Sequence, residues 1–223
     1  MVINVAIDGP AGAGKSTISR RAAKELGFIY IDTGALYRTI GVNALRLGVD
    51  VHNPQAVADT LTDELKVELK FENGEQKMYL NGEDVSTEIR LPEASMAASA
   101  VSAVPAVRAY LFDLQRTLAR ENNCIMDGRD IGTVVLPDAQ VKIFLTASPE
   151  ARAKRRFIEL EAKGVNETYE NVLNDMIKRD YDDSHRAIAP LKPAEDSIIL
   201  DTSDIGLEES VQLVIDTVKN NIG

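Results

Sequence analysis

The chain has 223 residues, of which 44% are hydrophobic and 27% are charged, so it can bury a substantial core. Its formal net charge of −10 disfavours nucleic-acid binding through bulk charge, because proteins that hold a polyanionic backbone carry a basic surface. Any anionic ligand must instead be bound by a local cluster of lysine and arginine, which favours a small phosphate compound.

The cysteine content and the first residues of the sequence indicate the cellular compartment of the protein. Cys124 is the only cysteine, which excludes an internal disulfide and favours a reducing environment. The first ten residues lack the pattern of a signal peptide, and no apolar run approaches the roughly 20 residues that span a bilayer. We therefore expect a cytoplasmic protein with no membrane or nucleic-acid partner, and a monomer.

Apolar strands alternate with helical segments along most of the chain. In chain order the pattern predicts a strand at 2–8, a helix at 16–26, a strand at 28–31, a helix at 34–47, a short helix from 53–54, helices at 92–103 and 105–121, strands at 124–127 and 141–146, helices at 149–163 and 168–184, a strand at 197–200 and a helix from 207. This alternation predicts a three-layer α/β fold with a parallel sheet.

Residues 62–90 have a different periodicity, because apolar and polar residues alternate there. The apolar positions are Leu65, Val67, Leu69, Phe71, Met78 and Leu80. Asn73-Gly74 and Asn81-Gly82 are typical of tight hairpin turns. We therefore predict a small antiparallel β element inserted into a single domain that spans residues 1–223.

The first predicted strand is followed by a glycine-rich segment that fits the pattern G-x-x-x-x-G-K-[ST] and opens a helix. Its residues are Gly9, Pro10, Ala11, Gly12, Ala13, Gly14, Lys15 and Ser16, and we include Thr17 in the predicted nucleotide-binding set. Small residues let successive backbone N–H groups surround an anion at the helix N-terminus. Lys15 would neutralise charge on the β- and γ-phosphates of ATP, and the Ser16 hydroxyl would help to hold Mg²⁺.

Arginine and acidic residues follow three other predicted elements. The chain has no N/T-K-x-D tetrapeptide, which a guanine-specific switch protein would need. The segment 32–38 follows the second strand, where ligands bind in open α/β sheets, and its Arg38 suits a terminal phosphate. The segment 127–133 follows a buried strand, and 179–190 contains a third charged cluster.

These motifs together resemble the bacterial cytidylate kinase family over nearly the whole chain. The matching stretches are GPAGAGKS, DTGALYR, DGRDIGTVV, VKIFLTAS and RD-x-x-D-S-x-R-x-x-AP. The resemblance implies the P-loop nucleoside-monophosphate-kinase fold, with a five-stranded parallel sheet in the order 2-3-1-4-5. It also implies a monophosphate-binding insertion at about 33–105, with its β-rich part at about 62–90, and a lid region at about 150–184.

The resemblance implies an enzyme that transfers the γ-phosphoryl group of ATP to CMP, and also to dCMP. Carried over by position, it assigns residues to the base (Thr33, Arg108, Asp130 and Arg186), to the ribose (Arg179 and Asp183) and to the acceptor phosphate (Arg38 and Arg129). Cytosine has an amino donor beside ring acceptors, so a carboxylate and arginine donors suit it, and uracil would leave them unpaired.

Two assignments have competing interpretations. Arg152, Arg155 and Arg156 follow the fourth sheet strand, and one or more of them is predicted to close over the transferring phosphoryl group, with Arg155 and Arg156 as catalytic candidates. The alternative is a charged helix face that forms only surface ion pairs. Arg108, judged by its surroundings alone, is a surface helix residue.

Two other functions compete with the transfer of phosphate to CMP. The protein could be a kinase for UMP, AMP or another metabolite, or a nucleotide-sensing protein that transfers no phosphate.

Overall fold

The computed structural model describes residues 2–72 and 75–222. In chain order the elements are β1 (Asn4–Asp8), α1 (Lys15–Leu26), β2 (Ile29–Asp32), α2 (Thr33–Arg46), α3 (Pro54–Asp59), β3 (Val67–Glu72), β4 (Glu75–Leu80), β5 (Glu83–Asp84), a 3-10 turn (Glu88–Arg90), α4 (Pro92–Val101), α5 (Pro105–Glu121), β6 (Cys124–Gly128), a π-helical turn (Ile131–Val135), β7 (Val141–Thr146), α6 (Pro149–Ala162), α7 (Tyr169–His185), β8 (Ile198–Asp201) and α8 (Leu207–Ile222). They group into two compact units, one formed by Met1–Tyr30 with Glu121–Gly223 and the other by Ile31–Arg120.

A five-stranded sheet organises the first unit, and its order is β2-β6-β1-β7-β8. β1 pairs in parallel with β6 and with β7, and β7 pairs in parallel with β8. Counted over the sheet strands alone this order is 2-3-1-4-5, so the predicted fold and strand order are confirmed. Because β1 lies in the centre, the segments after β1 and β6 leave the sheet from the same edge and side by side.

The core of the first unit lies between the sheet and helices α1 and α8. On α1 the apolar positions recur one turn apart, and the helix ends at Gly27, whose left-handed conformation lets its N–H bond the carbonyls of Ala23 and Lys24. The buried cluster contains Val5, Ile7, Ile18, Ala22, Ile125, Ile143, Leu145, Val214, Ile215 and Val218. This packing holds the start of α1 at the carboxyl edge of the sheet.

The second unit contains helices α2–α5 and a three-stranded sheet in the order β3-β4-β5. The strands pair antiparallel, as the alternating pattern predicts. Asn81 and Gly82, between β4 and β5, both have positive φ, which confirms the predicted turn there. The predicted turn at Asn73-Gly74 lies outside the described residues.

Helices α2 and α4 approach closely at a glycine. A Cβ atom on Gly41 would lie 2.9 Å from the Cβ of Ala97. Across residues 2–72 and 75–222, no helix taken alone has the length and apolar character to cross a membrane; α4 and α5, which meet at a bend of 102°, pass such a test only as a pair.

Gly9→Ala tests the tight contact at the start of the glycine-rich loop. A Cβ at Gly9 would lie 1.9 Å from the carbonyl oxygen of Leu145, and φ is +151°. We expect the substitution to lower the free energy of unfolding by about 3 kcal/mol or more in urea denaturation. Gly27→Ala is the matched control, since Gly27 also has positive φ but has nothing within 4 Å of a new Cβ. It should cost about 1–2 kcal/mol, and equal losses at the two glycines would contradict the steric argument.

Candidate active site

The glycine-rich loop joins β1 to α1 and forms an anion-binding turn. Gly9, Gly12 and Gly14 all have positive φ, a conformation that glycine adopts without a Cβ penalty. Gly14 is the N-cap of α1 and has no side chain to bond the first N–H groups of the helix. Those N–H groups and the positive end of the helix dipole suit phosphate oxygens.

Lys15 is buried and its ammonium group bends back over the loop. Its Nζ donates to the carbonyl oxygens of Gly9 at 2.7 Å and Pro10 at 2.8 Å. Burial lowers the pKa of Lys15, and the guanidinium of Arg129 lowers it further, while Asp127 and other nearby carboxylates oppose them. An anion bound in the loop would favour the charged form of this lysine.

Ser16 is the first polar side chain after Lys15 and contacts the end of β6. Its hydroxyl donates to Oδ2 of Asp127 at 2.9 Å, and the Tyr30 hydroxyl donates to Oδ1 of the same carboxylate at 3.0 Å. A hydroxyl and a carboxylate oxygen beside a phosphate loop are ligands that fit Mg²⁺, which commonly takes one or two protein oxygens and completes its shell with phosphates and water. No cluster of three or more potential ligand side chains occurs in the described chain.

Asp8 is a buried carboxylate that the sequence reasoning missed. It ends β1 directly before Gly9, and its two oxygens accept hydrogen bonds from the N–H groups of Ile131 at 2.8 Å and Gly132 at 2.7 Å. Burial raises the pKa of Asp8 from 3.8 to about 6. An acidic residue at the end of an otherwise apolar strand is the sequence signal that marks this position. The bonds join the phosphate loop strand to the segment after β6.

The π-helical turn at Ile131–Val135 is a second feature absent from the predictions, which had only a ligand-facing loop at 127–133. The N–H of Leu136 bonds the carbonyl of Ile131, and the N–H of Val135 bonds that of Asp130. Such turns are frequent at functional sites, and this one directly follows two predicted substrate-binding residues.

Two ion pairs bring the segment after β6 together with the end of α7. Arg129 Nε donates to Oδ2 of Asp183 at 2.8 Å, and Arg186 Nη2 donates to Oδ1 of Asp130 at 3.3 Å. All four side chains are mostly buried, with exposed fractions between 6% and 22%. Residues predicted from widely separated motifs are therefore adjacent, whereas Arg179 is exposed on α7.

The three arginines of α6 differ sharply in their surroundings. Arg152 is 2% exposed and donates to the carbonyl of Ala11 in the phosphate loop at 2.9 Å and to Asp180 on α7 at 2.5 Å. Arg155 donates to the carbonyl of Thr202. Arg156 forms an exposed pair with Glu159. Residue type does not single out Arg152, because its burial depends on partners far along the chain.

A cavity of about 420 Å³ opens beside the phosphate loop in the first unit. Its wall includes Pro10, Arg152 and the ends of β7 and β8.

In the second unit, the predicted residues lie on α2 and α5. Asp32 caps α2 by accepting from the N–H of Ala35 at 3.0 Å, and its other oxygen accepts from Arg38 at 2.7 Å. Thr33, the first residue of α2, is 3% exposed. Arg108 is half-buried, with its guanidinium 5.8 Å from the centre of the Tyr37 ring.

The parallel sheet and the glycine-rich loop with its lysine define a P-loop phosphotransferase. The sequence model of the cytidylate kinase family matches residues 5–220. A cytidylate kinase of Caldicellulosiruptor bescii is 48% identical over 99% of this chain and 99% of its own. Cytidylate kinases of Lactobacillus gasseri and Mycobacterium leprae are each 49% identical, over 98% and 99% of this chain and 94% and 97% of their own. The chain belongs to the cytidylate kinase family.

Solved structures agree with the fold. An uncharacterised protein from Eubacterium ventriosum has a TM-score of 0.52 at 13% identity, covering 97% of this chain and 98% of its own. A Thermus thermophilus protein has a TM-score of 0.50 at 18% identity, covering 100% and 98%. At these identities the similarity concerns the fold alone.

Asp8→Asn tests the raised pKa of Asp8 through the pH dependence of stability. Between pH 3.8 and about 6 the folded protein binds a proton at Asp8 that the unfolded chain does not. The stability linked to this proton is present below pH 3.8 and is lost as the pH rises through about 6. The free energy of unfolding of the wild type minus that of Asp8→Asn should therefore fall by about 2 kcal/mol between about pH 4 and pH 7 in urea titrations. Parallel curves for the two proteins would contradict the prediction; the exposed Asp138→Asn serves as control.

Proposed function

We infer that the protein phosphorylates CMP, and also dCMP, with ATP as donor and Mg²⁺ as cofactor. The observation that carries this inference is the phosphate loop with Lys15, next to the linked pairs Arg129–Asp183 and Asp130–Arg186 in the same unit. The first feature suits a nucleoside triphosphate, and the second offers guanidinium and carboxylate groups to a second, smaller nucleotide. Membership of the cytidylate kinase family supports the same reaction.

On the donor side, the backbone of residues 9–17 binds the ATP phosphates. Lys15 leaves the carbonyls of Gly9 and Pro10 and neutralises the β- and γ-phosphates. Ser16 and Asp127 would hold Mg²⁺, which would supply positive charge against the phosphates of the nucleotide. Tyr30 fixes the orientation of the Asp127 carboxylate through its hydroxyl.

On the acceptor side, Arg38 and Arg129 bind the phosphate of the monophosphate. Each guanidinium is held by a carboxylate, of Asp32 and Asp183 respectively, so its position is set before substrate arrives. The acceptor oxygen is already anionic at neutral pH, so no general base is needed to remove a proton from it. Catalysis depends instead on the alignment of the two phosphates.

The base and the ribose are bound by polar side chains. The Asp130 carboxylate accepts from the cytosine amino group, and Arg186 donates to its ring acceptors. Thr33 and Arg108 supply further donors to the base, and Arg179 and Asp183 bind the ribose. Uracil presents a carbonyl to Asp130, which leaves buried polar groups unpaired and disfavours UMP.

The helices α6 and α7 form the lid, within the region of about 150–184 predicted from the sequence. Arg155 and Arg156 approach the transferring phosphoryl group when the lid closes, and closure limits hydrolysis of ATP by water. In this structure Arg156 forms an ion pair with Glu159 on the surface. This ion pair must break before Arg156 can reach the phosphoryl group, and because it is exposed it is weak.

The insertion of about 33–105 shapes the acceptor side, inside a single kinase domain. The protein acts as a cytoplasmic monomer on small molecules, without nucleic-acid or membrane partners. The acidic balance of the chain supports this restriction to small ligands.

An assay of ADP release with CMP, dCMP, UMP and AMP in turn tests the function. We expect CMP and dCMP to give the highest kcat/KM. Preferred release with UMP or AMP would favour the rival acceptors, and no acceptor-dependent release would favour a nucleotide sensor.

Lys15→Ala should lower kcat by about three orders of magnitude or more, because an ammonium group that stabilises developing phosphate charge is lost. Circular dichroism and thermal unfolding verify that the fold remains. The exposed Lys24→Ala on the same helix is the control and should keep normal turnover. A Lys15→Ala variant with near-normal kcat would refute the role.

Asp130→Asn should reduce the ratio of kcat/KM for CMP to that for UMP by about tenfold, because an amide can donate to the uracil carbonyl. The exposed Asp138→Asn is the matched control and should leave the ratio unchanged. An unchanged ratio in Asp130→Asn would show that the base is read by other residues.

A further inference from the structure

The Asp8 carboxylate acts as the N-terminal cap of a helix that belongs to another part of the chain. Its oxygens accept from the N–H groups of Ile131 and Gly132, which are the first two residues of the π-helical turn. Asp8 is 4% exposed and lies 123 residues before its first partner. Both donors are themselves buried.

Asp130 precedes this turn and occupies the position from which an aspartate normally caps its own helix. Its side chain makes no such bond, and its backbone has φ −148° and ψ 27°. The carboxylate is directed instead to Arg186. Asp8 accepts from the N–H of Gly132, one of the groups that an N-cap side chain at Asp130 would bond, and also from the N–H of Ile131, so the Asp130 carboxylate is not needed as the cap.

We propose that Asp8 is a positioning residue for acceptor selectivity: by capping Ile131 and Gly132 from β1, it turns the Asp130 carboxylate towards the cytosine base. The proposal rests on the proposed function, because it assumes that Asp130 reads the base. Asp8 itself touches no substrate. It acts through the backbone that carries Arg129 and Asp130.

The packing around Gly132 supports a backbone held within narrow limits. A Cβ on Gly132 would lie 3.4 Å from Oδ2 of Asp8 and 3.3 Å from Cδ of Lys142. Lys142 is itself 9% exposed and is bonded to Asp196 at 2.8 Å, which restricts the movement of its stem. The turn is therefore held by the hydrogen bonds to Asp8 and packs against the stem of Lys142.

A purely structural role for Asp8 predicts different kinetics. Asp8 directly precedes Gly9 and lies near Lys15, so a general disturbance would affect the phosphate loop first. Such a disturbance would raise the KM of ATP and leave the choice between CMP and UMP unchanged. A positioning role predicts the reverse pattern.

The test is Asp8→Asn, assayed for ADP release with CMP and UMP over a range of ATP concentrations. An asparagine keeps the shape but presents an NH₂ group to one of the two N–H donors, so one bond is lost and the turn shifts. We expect the KM of CMP to rise about tenfold and the CMP-to-UMP ratio of kcat/KM to fall by about the same factor. The KM of ATP should change by less than about threefold.

Ser210→Ala is the control for general destabilisation. Ser210 is 2% exposed and bonds the Gly206 carbonyl at the start of α8. It should lower stability without changing the CMP-to-UMP ratio. If Asp8→Asn does not fold, Gly132→Ala decides, because its Cβ would crowd Lys142 at 3.3 Å and shift the turn that Asp8 caps; we expect a smaller fall in the ratio.

Each outcome separates this proposal from the proposed function. If the wild type fails to phosphorylate CMP, the proposed function is wrong. If the wild type prefers CMP but Asp8→Asn, or Gly132→Ala in its place, keeps that ratio, the positioning role is overturned and the enzyme assignment stands.

Discussion

The pairing of β1 between β6 and β7 is the constraint on which the site depends. Parallel strands end at one edge of the sheet, so the residues that follow β1 and β6 lie side by side. The chain turns at Gly9 close to the carbonyl oxygen of Leu145, where any residue with a Cβ atom would clash. The hydroxyl of Ser16 reaches Asp127 because of this shared edge. The chemistry of the site is thus a consequence of strand order and of one glycine.

Much of the fold could be predicted because its signals are local. Buried strands such as residues 141–146 were bounded correctly, since apolar runs between turn residues have few alternatives, and the loop around Lys15 follows from its glycine spacing. The π-helical turn had no such signal, because one turn of five residues leaves no periodicity to detect.

The parts of the site that sequence reasoning missed depend on contacts between distant residues. Asp8 and Ile131 are 123 residues apart, and Arg152 reaches Ala11 across 141. Residue type alone does not distinguish Arg152, which is buried, from Arg156, which is exposed. The family resemblance predicts that Arg129 binds the acceptor phosphate and that Asp183 binds the ribose. It does not predict the ion pair between them, which depends on the folding of segments 54 residues apart.

The carboxylate partners of the binding arginines have a consequence for how tightly a substrate is held. A long side chain loses rotational freedom when it is immobilised, at up to about 2 kcal/mol. Arg129 and Arg186 have already lost that freedom during folding, since Asp183 and Asp130 fix them. If a nucleotide binds there as proposed, it exchanges one set of ionic partners for another and orders little of the protein, so the entropic cost of association is low and shape mismatch is poorly tolerated.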